Sequence, residues 1–136
     1  MNEAERVVRA YYNAFNAGDT EAFLALLTDD VVHGINQGAR EVGRAAFARF
    51  MDGMTGCYEE QLADLVILTG ADGTRAAAEF VVHGTYARTA PGLPEATGQR
   101  YVLPAGAFFT LRGGQVARID NYYNLQDWLR QVSVVR

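Results

Sequence analysis

Residues 59–88, EEQLADLVILTGADGTRAAAEFVVHGTYAR, decide the fold because the periodicity of the chain changes there to that of strands. Two runs of strand character, 59–69 and 76–88, flank the turn sequence GADG at 70–73. An Asp-Gly pair between two such runs is a strong signal for a β-hairpin. The segment therefore predicts two antiparallel strands joined by a short turn.

Two further strands follow the hairpin. The first is predicted at 100–111, after a loop at 89–98, and Pro104 with Gly106 inside it predicts a bulge or bend. An Arg-Gly-Gly turn then leads into the second strand, at 115–124. The C-terminal half is thus predicted as a series of hairpin-linked strands.

The N-terminal half has helical periodicity. Asn2 and Glu5 resemble a capping box, and apolar residues recur at helical spacing from there to Gly18, which predicts a first helix. A second, shorter helix is predicted to begin at Asp19 or Thr20, both of which are common N-cap residues.

A short strand at 31–35, a loop at 36–43 and a third helix complete that half, and a short helix at 125–132 closes the chain. The third helix is indicated by apolar residues at i, i+3, i+4 and i+7, which are Phe47, Phe50, Met51 and Met54. The order α-α-β-α-β-β-β-β, followed by the closing helix, predicts an α+β fold with a mostly antiparallel sheet. One helical layer on a strongly curved sheet leaves a cavity between them, which is a common place for a ligand site.

Composition restricts the function classes. The 136 residues are 49% hydrophobic, which fits a single domain over 1–136. The net charge is −4 and the 12 basic residues are scattered arginines, so we expect no nucleic-acid partner. No long apolar run or signal peptide is evident, so we expect a cytoplasmic protein with no membrane partner. With one cysteine and two histidines, neither a metal nor another cofactor is expected.

The segments YYNAFNAGD (11–19) and FLALLTDDVV (23–32) resemble the opening of the NTF2-like domains. Four further segments resemble the ketosteroid isomerase-related proteins of the SnoaL-like branch, namely VVHGINQG (31–38), RAAAEFVVHGTY (75–86), YVLPAGAFF (101–109) and YYNLQDWLRQV (122–132). The resemblance covers nearly the whole chain and implies the NTF2-like cone, a cystatin-like α+β roll with helices packed on a strongly curved sheet. This fold hosts isomerases, cyclases, dehydratases, epoxide hydrolases and simple binders, so it implies no single activity.

The resemblance also locates three catalytic positions. A ketosteroid isomerase uses a carboxylate base, a tyrosine donor and a neutral aspartic acid donor. The tyrosine corresponds to Tyr11, and the base falls at or beside Ile35, where His33 and Asn36 are the alternatives. None of these three is a carboxylate, and the second acid falls on Gly106. Ordinary steroid isomerisation is therefore not expected.

His33 and the end of the last strand supply the other candidates. His33 shares a strand face with Val31 and Ile35 and is either a base in the cavity or a core histidine bonded to backbone. Asn121 and Tyr123 share one face of their strand. They either donate hydrogen bonds to a ligand oxygen or satisfy the strand end.

Together these features predict a cofactor-free isomerase, cyclase or similar proton-transfer enzyme for a cyclic carbonyl compound. His33 is the predicted base, and Tyr11 with Asn121 or Tyr123 stabilises oxygen charge. The alternatives are a non-catalytic binder of a small hydrophobic ligand and, third, an interaction domain. The remaining predicted ligand contacts are Asn36, Phe50, Phe80, Val82, Tyr86, Tyr101, Phe108 and Tyr123. The resemblance places His83 on the outer sheet face, through which we expect a homodimer.

Overall fold

The computed structural model describes residues 1–133. The helices and strands in chain order are α1 (Glu3–Ala17), α2 (Thr20–Ala25), β1 (Leu27–Ile35), a 3₁₀ turn (Asn36–Gly38), β2 (Ala39–Val42), α3 (Arg44–Cys57), β3 (Tyr58–Thr69), β4 (Arg75–Tyr86), β5 (Gln99–Arg112), β6 (Gln115–Tyr123) and α4 (Leu125–Val132). Within this range, no helix combines the length and the apolar character needed to cross a membrane.

The six strands form one curled, unclosed sheet in the order β2-β1-β6-β5-β4-β3. Every neighbouring pair is antiparallel except β1 and β6, which run parallel. The predicted α+β fold with a mostly antiparallel sheet is therefore confirmed. Because β2 and β3 are the two edges, β1 and β3 approach the interior from opposite sides of the curled sheet.

Strand alternation produces the core. On β4 the even-numbered residues from Ala76 to Tyr86 are buried, and on β5 the odd-numbered Tyr101, Leu103, Ala107 and Phe109 are buried. The helices cover this concave face. Asn2 is the N-cap of α1, and its side chain accepts a hydrogen bond from the Glu5 N–H. Gly18 caps the C-terminus of the helix in a left-handed conformation.

The structure corrects three local predictions. β1 begins at Leu27, not at residue 31, and the predicted loop at 36–43 contains β2. The bulge at Pro104 and Gly106 is absent, since β5 pairs with β4 in unbroken register through both residues. A proline fits there because pairing of β5 with β6 ends at Ala105, so Pro104 has a sheet neighbour on one side only.

Candidate active site

A cavity of about 280 Å³ lies between the helices and the concave face of the sheet. Most of its wall is aromatic or aliphatic, with α1 and α3 on one side and β4 to β6 on the other. The ionisable or amide side chains in the wall are few: His33, Asn36, Glu60, Asn121 and several tyrosines. Ligand pockets usually measure roughly 300–1,000 Å³, so this cavity suits a small and largely apolar molecule.

His33 faces this cavity from β1 and is buried. Its ring stacks on Phe47 of α3, with the ring centroids 3.9 Å apart and the planes at 8°, and meets the edge of Phe50. Nε2 lies 3.4 Å from Nδ2 of Asn121, whereas Nδ1 is buried with no hydrogen-bond partner in residues 1–133. The backbone bond that a purely structural core histidine needs is thus missing from the described part of the chain.

Burial also sets the charge of His33. Desolvation lowers the pKa of the imidazole from 6.5 to about 4, against an opposing pull from the carboxylate of Asp120. His33 is therefore neutral at physiological pH. A neutral imidazole in an apolar wall can accept a proton, which is the requirement for a general base.

Asp120 lies on the opposite face of the sheet from the cavity. Its buried carboxylate pairs with Arg118 and, at 3.7 Å, with Arg40. Gly34 lies directly opposite on β1, and a side chain at that position would overlap the carboxylate. The side chains of Asp120 and His33 therefore lie on opposite faces of the sheet, although their strands are paired one residue away. Asp120 acts on His33 only through its charge.

Tyr11 and Asn36 line the cavity in different ways. Tyr11 is packed edge-on against Tyr12 and Phe109, and burial raises the pKa of its hydroxyl, which keeps the proton needed for donation. Asn36 instead exchanges two hydrogen bonds with the backbone of Tyr123, at 2.9 and 3.2 Å. Its amide therefore joins the end of β1 to β6.

The cavity brings together most, but not all, of the predicted residues. Tyr86 lies in the core, where its hydroxyl accepts from the N–H of Ala90 and donates to the carbonyl of Pro94. Phe108 is 53% exposed on the outer face, because only odd-numbered residues of this part of β5 point inward. These two residues do not line the cavity, and neither does Tyr101, so three predicted ligand contacts lie outside the wall. The residues placed in the wall as predicted are His33, Tyr11, Asn121, Asn36, Phe50, Phe80, Val82 and Tyr123.

Glu60 is a carboxyl group in the cavity wall that sequence reasoning missed. It projects from β3 into the wall, and the Tyr101 hydroxyl donates a 2.5 Å hydrogen bond to its Oε2. Tyr101 thus stands behind the wall instead of lining it. Burial raises the pKa of Glu60, while the bond from Tyr101 opposes the rise. The available signal was its position between the inward-facing Tyr58 and Leu62, where a carboxylate is unexpected.

The described residues contain no group of three histidine, cysteine, aspartate or glutamate side chains arranged to hold a metal ion. His83, the other histidine, is exposed on the outer face of β4. The cavity therefore presents two separate acid–base groups of this chain, His33 and Glu60, within an apolar wall.

Comparisons with known proteins place this architecture in a family. Residues 8–119 match the model of the SnoaL-like domain. No functionally curated protein matches the chain.

Three solved bacterial structures, each named a "putative polyketide cyclase", are similar over nearly their full length. The one from Pseudomonas putida KT2440 is 61% identical, with a TM-score of 0.93, and the match covers 97% of this chain and 98% of that chain. The structure from Xanthomonas campestris pv. campestris is 57% identical, with a TM-score of 0.93 and 96% of each chain covered. That from Silicibacter sp. TM1040 is 51% identical, with a TM-score of 0.94 and 96% of each chain covered. The chain belongs to the SnoaL-like family of the NTF2-like superfamily.

Proposed function

We propose that this protein is an enzyme that moves protons on a small, mostly apolar, cyclic carbonyl compound, without a cofactor. One observation carries the proposal: the neutral imidazole of His33 faces an apolar cavity, within reach of the Asn121 amide and without a backbone partner in the described chain. Ionisable groups in apolar clefts with perturbed pKa values are characteristic of catalytic sites.

In the proposed reaction, His33 takes a proton from the carbon next to the substrate carbonyl. The electrons of the broken C–H bond form a C=C bond, and the carbonyl π electrons move onto oxygen. Hydrogen bonds from the Asn121 amide and the Tyr11 hydroxyl stabilise the resulting enolate, since both side chains line the same cavity. Negative charge on the substrate also favours the imidazolium, which offsets the desolvation that lowers the pKa of His33.

The enolate has two outcomes, and the ligand determines which occurs. Return of the proton to another carbon gives an isomer, whereas attack of the enolate carbon on a second carbonyl carbon closes a ring. The names given to the similar Pseudomonas and Xanthomonas proteins favour the ring-closing reaction, because these proteins are more than half identical to this chain.

Proton exchange at carbon tests the proposal without knowledge of the natural substrate. The probe is 2-tetralone, a bicyclic ketone, whose replacement of α-hydrogens by deuterium in D₂O is followed by proton NMR. We expect wild type to accelerate exchange and His33→Gln to lower that acceleration by about 10²–10⁴-fold, the usual contribution of a general base.

His83→Gln is the matched control, because it makes the same change at an exposed histidine on the outer face. Equal exchange rates for wild type and His33→Gln would refute the role of His33.

A non-catalytic binder is the second candidate. The observation that favours it is the small number of polar groups in a wall that is otherwise aromatic and aliphatic. A protein that 2-tetralone stabilises in a thermal melt, but that accelerates no exchange, would belong to this class.

A further inference from the structure

We propose that Glu60 is a second proton-transfer residue, which delivers a proton to the substrate oxygen from the side of the cavity opposite His33, while Tyr101 positions its carboxyl group. This inference rests on the function proposed above and adds a second catalytic group to it. Nothing in the comparisons assigns a role to either residue.

The position of Glu60 in the sheet supports proton delivery from the side of the cavity opposite His33. β3 is the edge strand and β1 lies four strands away in the sheet order, so Glu60 and His33 reach the cavity from opposite sides. Oε2 of Glu60 is occupied by the Tyr101 hydroxyl. The bond from Tyr101 leaves Oε1 as the oxygen that can carry a proton to a ligand.

A glycine in the middle of β4 makes the contact between Tyr101 and Glu60 possible. Glu60, Gly84 and Tyr101 are directly paired across three adjacent strands. A side chain at position 84 would overlap the Tyr101 ring, so the ring crosses β4 over the glycine to reach Glu60. Glycine in the interior of a strand weakens the strand, and it often marks a place where another group comes close to the backbone.

The surroundings of Glu60 raise its pKa. The titratable groups that face it are phenols: Tyr58 on its own strand, Tyr101 on β5 and Tyr123 on β6. No arginine forms an ion pair with it in the part of the chain that is described. A buried carboxyl group without a cation keeps its proton to higher pH than usual, as the raised pKa of Glu60 indicates.

Glu60 also has a path to solvent. A surface groove between the α1–α2 turn, the C-terminal half of α3 and the start of β3 adjoins the cavity. The groove and the cavity share six wall residues: Phe15, Phe23, Met51, Met54, Tyr58 and Glu60. Through this groove the Glu60 carboxyl group can exchange its proton with solvent.

The proton balance of the step is complete. His33 gains the proton from carbon, and the O–H bond of the Glu60 carboxyl breaks as its proton moves to the substrate oxygen. The carboxylate that remains accepts the hydrogen bond from Tyr101. When the enol becomes a carbonyl again, its O–H bond breaks and that proton returns to the Glu60 carboxylate. The imidazolium of His33 gives its proton to carbon or, in ring closure, to the new alkoxide oxygen.

The experiment measures 2-tetralone exchange as a function of pH for wild type, Glu60→Gln, Tyr101→Phe and the control Glu21→Gln, an exposed residue of α2. We expect Glu60→Gln to lower exchange by about 100-fold or more, with unchanged binding of 2-tetralone in a calorimetric titration. Glu21→Gln should match wild type.

Tyr101→Phe gives a readout that a purely structural role would not change. The Tyr101 hydroxyl lowers the pKa of Glu60, so its removal should keep Glu60 protonated to higher pH. We therefore expect the alkaline limb of the rate profile to move to higher pH in Tyr101→Phe. If Glu60→Gln does not fold, the shift of the alkaline limb in Tyr101→Phe is the test of the role of Glu60. An alkaline limb at the same pH as in wild type would overturn the inference.

The outcomes separate the two proposals. Exchange that depends on His33 but proceeds normally in Glu60→Gln would overturn the role of Glu60 and leave the proposed function intact. Loss of 2-tetralone binding in Glu60→Gln would make Glu60 a binding residue and would also overturn it. Absence of exchange in wild type would overturn both proposals.

Discussion

The burial of His33 has a direct consequence for the stability of the protein in acid. The pKa of His33 is about 4 in the folded protein and 6.5 when exposed, so the unfolded chain takes up the proton first as the pH falls. Uptake by the unfolded chain favours unfolding. The free energy of unfolding therefore falls below pH 6.5, and the loss due to His33 is complete once the pH is below about 4.

The size of this effect follows from the two pKa values. Each unit of difference corresponds to about 1.4 kcal/mol, and linkage gives a loss of about 2 kcal/mol from pH 7 to pH 5 and about 3 kcal/mol by pH 4. Small domains have a total stability of only about 5–15 kcal/mol, so this single group makes the protein clearly acid-sensitive. His33→Gln removes the titrating group and with it this part of the pH dependence.

Urea unfolding followed by circular dichroism at pH 7, 6, 5 and 4 measures the difference. Wild type should lose about 2–3 kcal/mol more than His33→Gln across this range. Carboxylates contribute to acid unfolding in both proteins and cancel in the comparison. His83→Gln makes the matched change on the outer face of β4. Parallel loss of stability in wild type and His33→Gln would refute the burial argument.

Three further outcomes are expected. Gly84→Ala should lower the free energy of unfolding by about 1–3 kcal/mol in urea titrations, because the added methyl group overlaps the Tyr101 ring, and an unchanged midpoint would contradict this. Light scattering at micromolar concentration should report twice the chain mass, and Phe108→Asp should give a monomer, because Phe108 and Tyr122 form an exposed aromatic pair on the outer face. A β,γ-unsaturated ketosteroid should show little or no conversion to its conjugated enone, because Gly106 stands where a ketosteroid isomerase has its acid donor. A clear rise in enone absorbance would contradict this prediction.

The sequence was sufficient to predict the types of most elements and the alternation along the long strands. Alternation and turn residues are local signals, and the Asn2 cap, the Gly18 stop and the hairpin at 70–73 are formed by neighbours in the chain. β2 was missed because a four-residue edge strand, three of whose residues are exposed, has almost no apolar alternation. The parallel pairing of β1 with β6 depends on residues about ninety positions apart, which no local pattern encodes.

Site residues were predictable only where alternation along a single strand determines which face of the sheet a side chain occupies. His33 and Asn121 follow from alternation on β1 and β6, and the structure places both in the cavity wall. The relation between Glu60 and Tyr101 depends on three strands in register and on the space that Gly84 leaves. Phe108 was misplaced because aromatic character alone does not reveal which parity of β5 faces inward.

An NMR titration of the imidazole resonances with 2-tetralone tests most directly whether a carbonyl compound binds in the cavity against His33. The chain has two histidines, so His33→Gln assigns both signals. We expect one saturable shift of the His33 resonance on titration and no change at His83, which lies on the outer face. A His33 resonance that stays fixed while the ketone binds, or a shift confined to His83, would show that the ketone does not bind against His33.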